Sequence, residues 1–191
     1  MQRISLILAL LLALNFHAQS QSNLIALEID PAPYLLNGYS VSLKYSSKKL
    51  PKVSLMGSIF SSDFPDAMMA KSNKEKGWVN MKFRPSYALF ADYYLNKDRK
   101  GFHFGPSVFF YNKSVTLEPY KREIDHSTIY PNLRIAYIYY PFKNIGLYLN
   151  PYLNFGSEIN TKGPHSIDGV KFEPAKFHYV AALHIGYSIR L

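Results

Sequence analysis

The sequence predicts an all-β fold, a single eight-stranded antiparallel up-and-down barrel, and three observations carry that prediction. Eight segments place apolar residues at every second position, the spacing that gathers them on one face of a strand. Aromatic residues make up 16% of the chain, with 16 Tyr and 13 Phe, a load that suits strands better than helices. The links between the eight segments are short and long in turn, as expected of hairpins that run up and down. A length of 191 residues suits one domain.

The opening stretch, MQRISLILALLLALNFHAQSQS, joins Arg3 to an apolar run from Ile4 to Leu14 and then to small and polar residues. That run falls well short of the about 20 apolar residues a spanning helix needs. It reads as a cleaved signal over 1–20, cut after Ser20, with a cut after Ala18 as the alternative, which leaves 21–191 as the barrel domain.

The first strand is LIALEID, with Ile25, Leu27 and Ile29 opposite Ala26, Glu28 and Asp30. The second, YSVSLKYS, sets Tyr39, Val41, Leu43 and Tyr45 against Ser40, Ser42, Lys44 and Ser46. In VSLMGSIF, Val53, Leu55 and Ile59 are apolar, but Met56 and Phe60 fall on the other side. WVNMKFRPSYALFADYY puts Val79, Met81, Phe83, Tyr87 and Leu89 on one face and Asn80, Lys82, Arg84, Ser86 and Ala88 on the other. GFHFGPSVFFYN, TIYPNLRIAYIYY and IGLYLNPYLNFGS repeat the alternation, and FHYVAALHIGYSIRL closes the set. Long loops are expected over Ser61 to Gly77, about Ser114 to Ser127 and about Ile159 to Lys176. Pro85, Pro106, Pro131 and Pro151 fall inside four consecutive strands. Proline donates no ladder hydrogen bond, so bulges or local fraying are expected at each.

Alternation alone does not say which face is wet. An eight-stranded lumen is narrow and filled by side chains. The bulkier face, rich in Leu, Ile, Phe and Tyr, therefore belongs outside, and the smaller polar face inside. Tyr39, Tyr45, Tyr93, Tyr137, Tyr139, Tyr179 and Tyr187 lie on the apolar faces, mostly towards strand ends, where an aromatic girdle meets lipid headgroups. An even strand count with alternating short turns and long loops adds to a transmembrane reading.

On these features, and on the closing YSIRL, the chain resembles the small eight-stranded outer-membrane barrel proteins of Gram-negative bacteria, over nearly all of 21–191. The resemblance implies location in the cell outer membrane, with outer-membrane lipids as partners. It also implies recognition of the C-terminal strand by the outer-membrane assembly machinery. Leu191 stands where that terminal signal usually has an aromatic residue.

The lumen face is expected to hold a network of Glu28, Asp30, Lys44, Lys82, Arg84, His103, Arg134, His184 and Arg190, with His178 nearby and Asp92 and Glu158 near the strand ends. Buried charges must be paired or hydrated, so the expectation is a plug of cross-barrel ion pairs and tyrosines. The alternative is an anion site in a basic lumen. The absence of Cys excludes disulfides, thiolate metal sites and thiol nucleophiles. Catalysis is not expected: the His-x-Ser pair of the lipid A deacylases does not occur, and His126-Ser127 and His165-Ser166 would point apart in a strand. No cofactor or metal is expected, since Asp63 and Asp66 offer two oxygen ligands at most. The formal charge of +9 is assigned to solvation or to attraction towards an anionic membrane surface rather than to nucleic acid. Any external ligand of the loops is left open. A soluble exported cup for an apolar ligand, and a lipid-modifying enzyme, are the rival readings.

Overall fold

Alternation in the sequence becomes a set of antiparallel ladders that close on themselves. In the computed structural model, which describes residues 22–142, 145–174 and 177–191, the strands are β1 (Leu24–Ile29), β2 (Tyr39–Ser46), β3 (Val53–Asp63), β4 (Trp78–Tyr94), β5 (Gly101–Leu117), β6 (Arg122–Ile138), β7 (Leu147–Gly156), the short β8 (Ile159–Lys162), β9 (Ser166–Ile167) and β10 (Val170–Lys171), and β11 (His178–Arg190). The expected signal segment lies outside the described residues. Each of β1 to β6 pairs with the next, β7 pairs with β11, and β11 returns to β1 from Leu24↔Arg190 to Ile29↔Ile185. The fold is a closed eight-stranded antiparallel barrel, and closure removes both sheet edges.

One end carries the short links. There Arg99 donates from Nε to the Pro51 carbonyl (3.0 Å) and from Nη2 to the Ser47 carbonyl (2.8 Å), tying two turns together. The Leu191 amide reaches the Asn23 carbonyl at 2.8 Å beside them. The other end carries the long links, among them α1 (Pro31–Leu35) and α2 (Lys71–Glu75). Asp30 caps α1 by accepting from the Ala32 amide at 3.0 Å, the usual role of Asp at a helix start.

Two features differ from the sequence reading. The loop expected over Ser114 to Ser127 is largely strand, because β5 and β6 continue in one register from Gly101↔Ile138 to Leu117↔Arg122. The chain reverses over Glu118–Tyr120, with Lys121 left-handed (φ 48°). The second difference lies in the faces of β4, where the bulge expected at Pro85 is present and is joined by another. Its register against β5 slips by one residue between Val79 and Lys82, and again between Phe83 and Tyr87. The first slip holds Asn80 at φ 55°; the second holds Pro85 and is felt by β3 as well. Each is a bulge, and each exchanges the inward and outward sets of the strand.

The other three prolines keep register. Antiparallel ladders bond each residue to one neighbour only, so a proline forfeits a single bond. Next to Pro106 the β4–β5 ladder lapses between Phe90↔Ser107 and Tyr93↔Phe104 without slipping. Gly105 makes room there, since a Cβ on it would lie 1.8 Å from the Ala91 carbonyl oxygen. Pro131 stands just past Asn132↔Gly156, where the β6–β7 ladder stops, and Pro151 just past its other end at Ala136↔Tyr152.

Candidate functional site

The lumen begins as a seam. Closure sets Glu28 of β1 opposite Gly186 of β11 and Ser42 of β2, so its carboxylate meets residues from both ends of the chain. It accepts from the Tyr148 hydroxyl at 2.5 Å and from the Asn150 amide at 3.4 Å, and it bonds His184 Nδ1 at 2.7 Å. Lys44 is its ion-pair partner. Gly186 is part of this site: a Cβ there would stand 2.3 Å from the Tyr148 ring, so only glycine leaves the ring its place.

A second layer lies across the lumen. Arg134 pairs with Asp92 at 3.3 Å, and His103 lies 3.7 Å from the same carboxylate while stacking on Tyr94. The Arg134 guanidinium is held between the faces of Phe90 (4.6 Å) and Tyr152 (4.3 Å), a stacking suited to its planar charge. Tyr152 joins the layers, its hydroxyl lying 3.3 Å from His184 Nε2. Two acids face one lysine and one arginine, so the formal charge of this part of the lumen is balanced, not basic. Above it Phe60, Phe83, Phe109, Tyr111 and Tyr130 fill the bore, with Phe60 meeting Phe83, Phe109 and Tyr111 edge to face and Tyr111 stacked on Phe109 and Tyr130.

A cap closes the long-loop end. On β5 and β6 the outward apolar belt runs from Phe102 to Phe110 and from Ile129 to Tyr137; above it the outward positions turn to Asn112, Ser127 and Asp125. At that height Lys113 pairs with Glu158, which also accepts from Thr128. Over them lies an apolar cluster of Met69, Trp78, Met81, Val115, Leu117, Ile124, Ile167 and Phe172. Asn73 of α2 holds the last loop by two amide bonds to the Glu173 backbone, at 2.8 and 3.0 Å. His126 sits between the polar and apolar parts, against His165 and Phe172. Burial pushes its imidazole down to about 4, aided by Lys113 and His165 and opposed by Glu158. Burial likewise lowers the Lys113 ammonium, against the pull of Glu158.

Of the residues expected in the lumen, Glu28, Lys44, His103, Arg134 and His184 are buried there. Lys82 and Arg84 are not. The β4 bulges turn them outward above the belt, where they pair with Asp63 (3.7 Å) and Glu123 (2.8 Å). Asp30 is occupied at the α1 cap, and Arg190 lies partly buried at the short-turn mouth. His178 stacks on Tyr130. Alternation did not reveal Tyr148, Asn150 and Tyr152 as partners, because their contacts depend on the register between distant strands. Continuing the β5 parity past Tyr111 would have found Lys113. Of the girdle tyrosines, Tyr45, Tyr93, Tyr137, Tyr139 and Tyr187 stand towards the short-turn end, and Tyr39 and Tyr179 towards the long-loop end.

No family model matches the chain. No curated protein matches it in sequence. Among solved structures it is similar to the crystal structure of Neisserial surface protein A, at 12% sequence identity and a TM-score of 0.46, covering 92% of this chain and 100% of that one.

Proposed function

We propose that the chain is an integral outer-membrane β-barrel protein, exported by its N-terminal signal, with no catalytic role. It fills its own lumen and presents its long loops outside the cell for structural or recognition tasks. The supporting observation is inverted polarity. Leu43, Leu89 and Leu133 are 59%, 56% and 65% exposed on the outer wall, while Glu28, Lys44 and Arg134 are 0%, 2% and 1% exposed inside. Leaving a row of large apolar side chains in water on every strand costs roughly 1.5–3 kcal/mol per side chain relative to burial, whereas hydrocarbon removes that cost. A closed barrel also satisfies its backbone without water, as the bilayer core demands. A soluble cup would carry the opposite arrangement. The final strand, ending in YSIRL, is the segment proposed for recognition by the assembly machinery. The lumen groups are turned towards one another, away from lipid, which favours a plug over a reaction centre.

Fractionation tests this reading. The protein is expected in the membrane fraction, extractable only by detergent, and its gel migration is expected to change on boiling. Recovery in the aqueous periplasmic fraction, with one migration regardless of heating, would overturn it.

A further inference from the structure

The charge of the described residues is not spread over the molecule. The links and loops of the long-loop end, with the strand extensions that rise into them, hold ten basic and ten acidic residues. The lumen layers hold Lys44 and Arg134 against Glu28 and Asp92. The short-turn end holds seven basic residues and one acid, Asp98. The whole surplus of positive charge among the described residues therefore stands at one mouth of the barrel.

The two ends also treat their charges differently. At the long-loop end six of the ten basic side chains have carboxylate partners among the described residues, as in Lys71–Glu75, Lys76–Glu173 and Arg122–Asp168. At the short-turn end Arg99 is spent on backbone carbonyls and Arg190 is partly buried. Lys48, Lys49, Lys52, Lys97 and Lys100 remain, and among the described residues none of the five has an ion-pair partner. Their level is set by their neighbours. Lys52 Nζ lies 5.5 Å from the centre of the girdle ring of Tyr93, and Lys100 Nζ lies 5.6 Å from that of Tyr140. Leu50, Leu95 and Phe142 are exposed on the same links. Links standing free in the aqueous phase gain nothing from three large apolar side chains; links lying at the boundary of hydrocarbon and headgroups do.

We propose that the short-turn end is a lipid-binding collar, in which these five lysines hold the phosphate headgroups of anionic phospholipids in the leaflet on that side. This rests on the membrane reading above and adds to it a lipid class, a leaflet and a set of ligands. Lysine on a flexible stem suits the task, because headgroups present phosphates at no fixed geometry. The attraction adds over several cations and is screened by salt.

The test uses the chain refolded into phosphatidylcholine vesicles that contain about one part in four phosphatidylglycerol. Spin-labelled lipids then report the relative association of each headgroup with the protein. Heat-dependent gel migration from the same vesicles reports insertion separately. The unaltered chain is expected to favour phosphatidylglycerol by at least about threefold at low salt, with the preference collapsing in about 0.5 M salt. Replacing the five lysines together by Gln is expected to remove the preference and leave insertion intact. Replacing Lys71, Lys74, Lys121, Lys162 and Lys171 by Gln is expected to leave both unchanged. Insertion with equal association of the two lipids overturns the collar alone, and so does a preference that survives the first variant or vanishes in the second. Equal association accompanied by salt-sensitive binding of soluble polyglutamate assigns the face to an acidic macromolecule instead, and overturns the collar too. Failure to insert in any vesicle overturns the membrane reading and the collar with it.

Discussion

Glu28 shows what a single side chain does in this lumen. Its carboxylate is the meeting point of Lys44, Tyr148, Asn150 and His184, and it sits on the strand pair that closes the barrel. Glu28→Gln keeps the shape and deletes the charge, which strands the Lys44 ammonium in a site only 2% exposed. Breaking a buried pair in this way costs about 3–5 kcal/mol. The expected outcome is a lower urea midpoint for the folded-to-unfolded gel shift in detergent micelles. Adding Lys44→Met should recover most of the loss, because the stranded cation, not the missing bond, sets the penalty. Glu28 and Lys44 were legible from alternation. The fit of Tyr148 over Gly186 was not, since it depends on the register between β7 and β11 across the long link that joins them, and no local pattern encodes that register.

Strands β5 and β6 carry two environments along one hairpin. Their belt ends at Phe110 and Ile129, and about seven further residues rise roughly 20 Å above it at about 3.3 Å per residue. The inward parity persists through Val115, Leu117 and Ile124, while the outward face gains Glu123 and Asp125 because water bathes it there. A reading that sees those charges finds a loop; a reading that follows the parity finds a strand. His126 makes the cap acid-sensitive. Burial holds its folded form at about 4, below the ordinary imidazole value of 6.5, so the unfolded or opened cap binds more protons between those values. Stability from this group is complete above about pH 6.5 and is lost as pH falls towards about 4. Trp78 is the single Trp of the chain and lies within the cap. Its fluorescence is expected to shift to the red on acidification across that window. His126→Phe should flatten the response while leaving the spectrum at neutral pH unchanged.

The architecture as a whole was the most legible level, because strand number and order follow from eight repeats of one period, and the choice of faces from the bulk that a narrow lumen admits. The filled bore predicts electrical silence. Planar bilayers bearing the protein are expected to show no unitary current steps, with Arg134 held between Phe90 and Tyr152 across the lumen. Phe90→Ala with Tyr152→Ala removes both flanking rings and is expected to produce steps.

The extra residue that β4 carries beside Pro85 has a consequence for how this wall tolerates change. Substitutions along β4 act one side chain at a time, but deleting that residue would act like a frameshift. Phe83 and Met81 would swing out into water, and Lys82 would be driven into the aromatic bore. Variation in chain length at this point is thus far more dangerous than variation in identity.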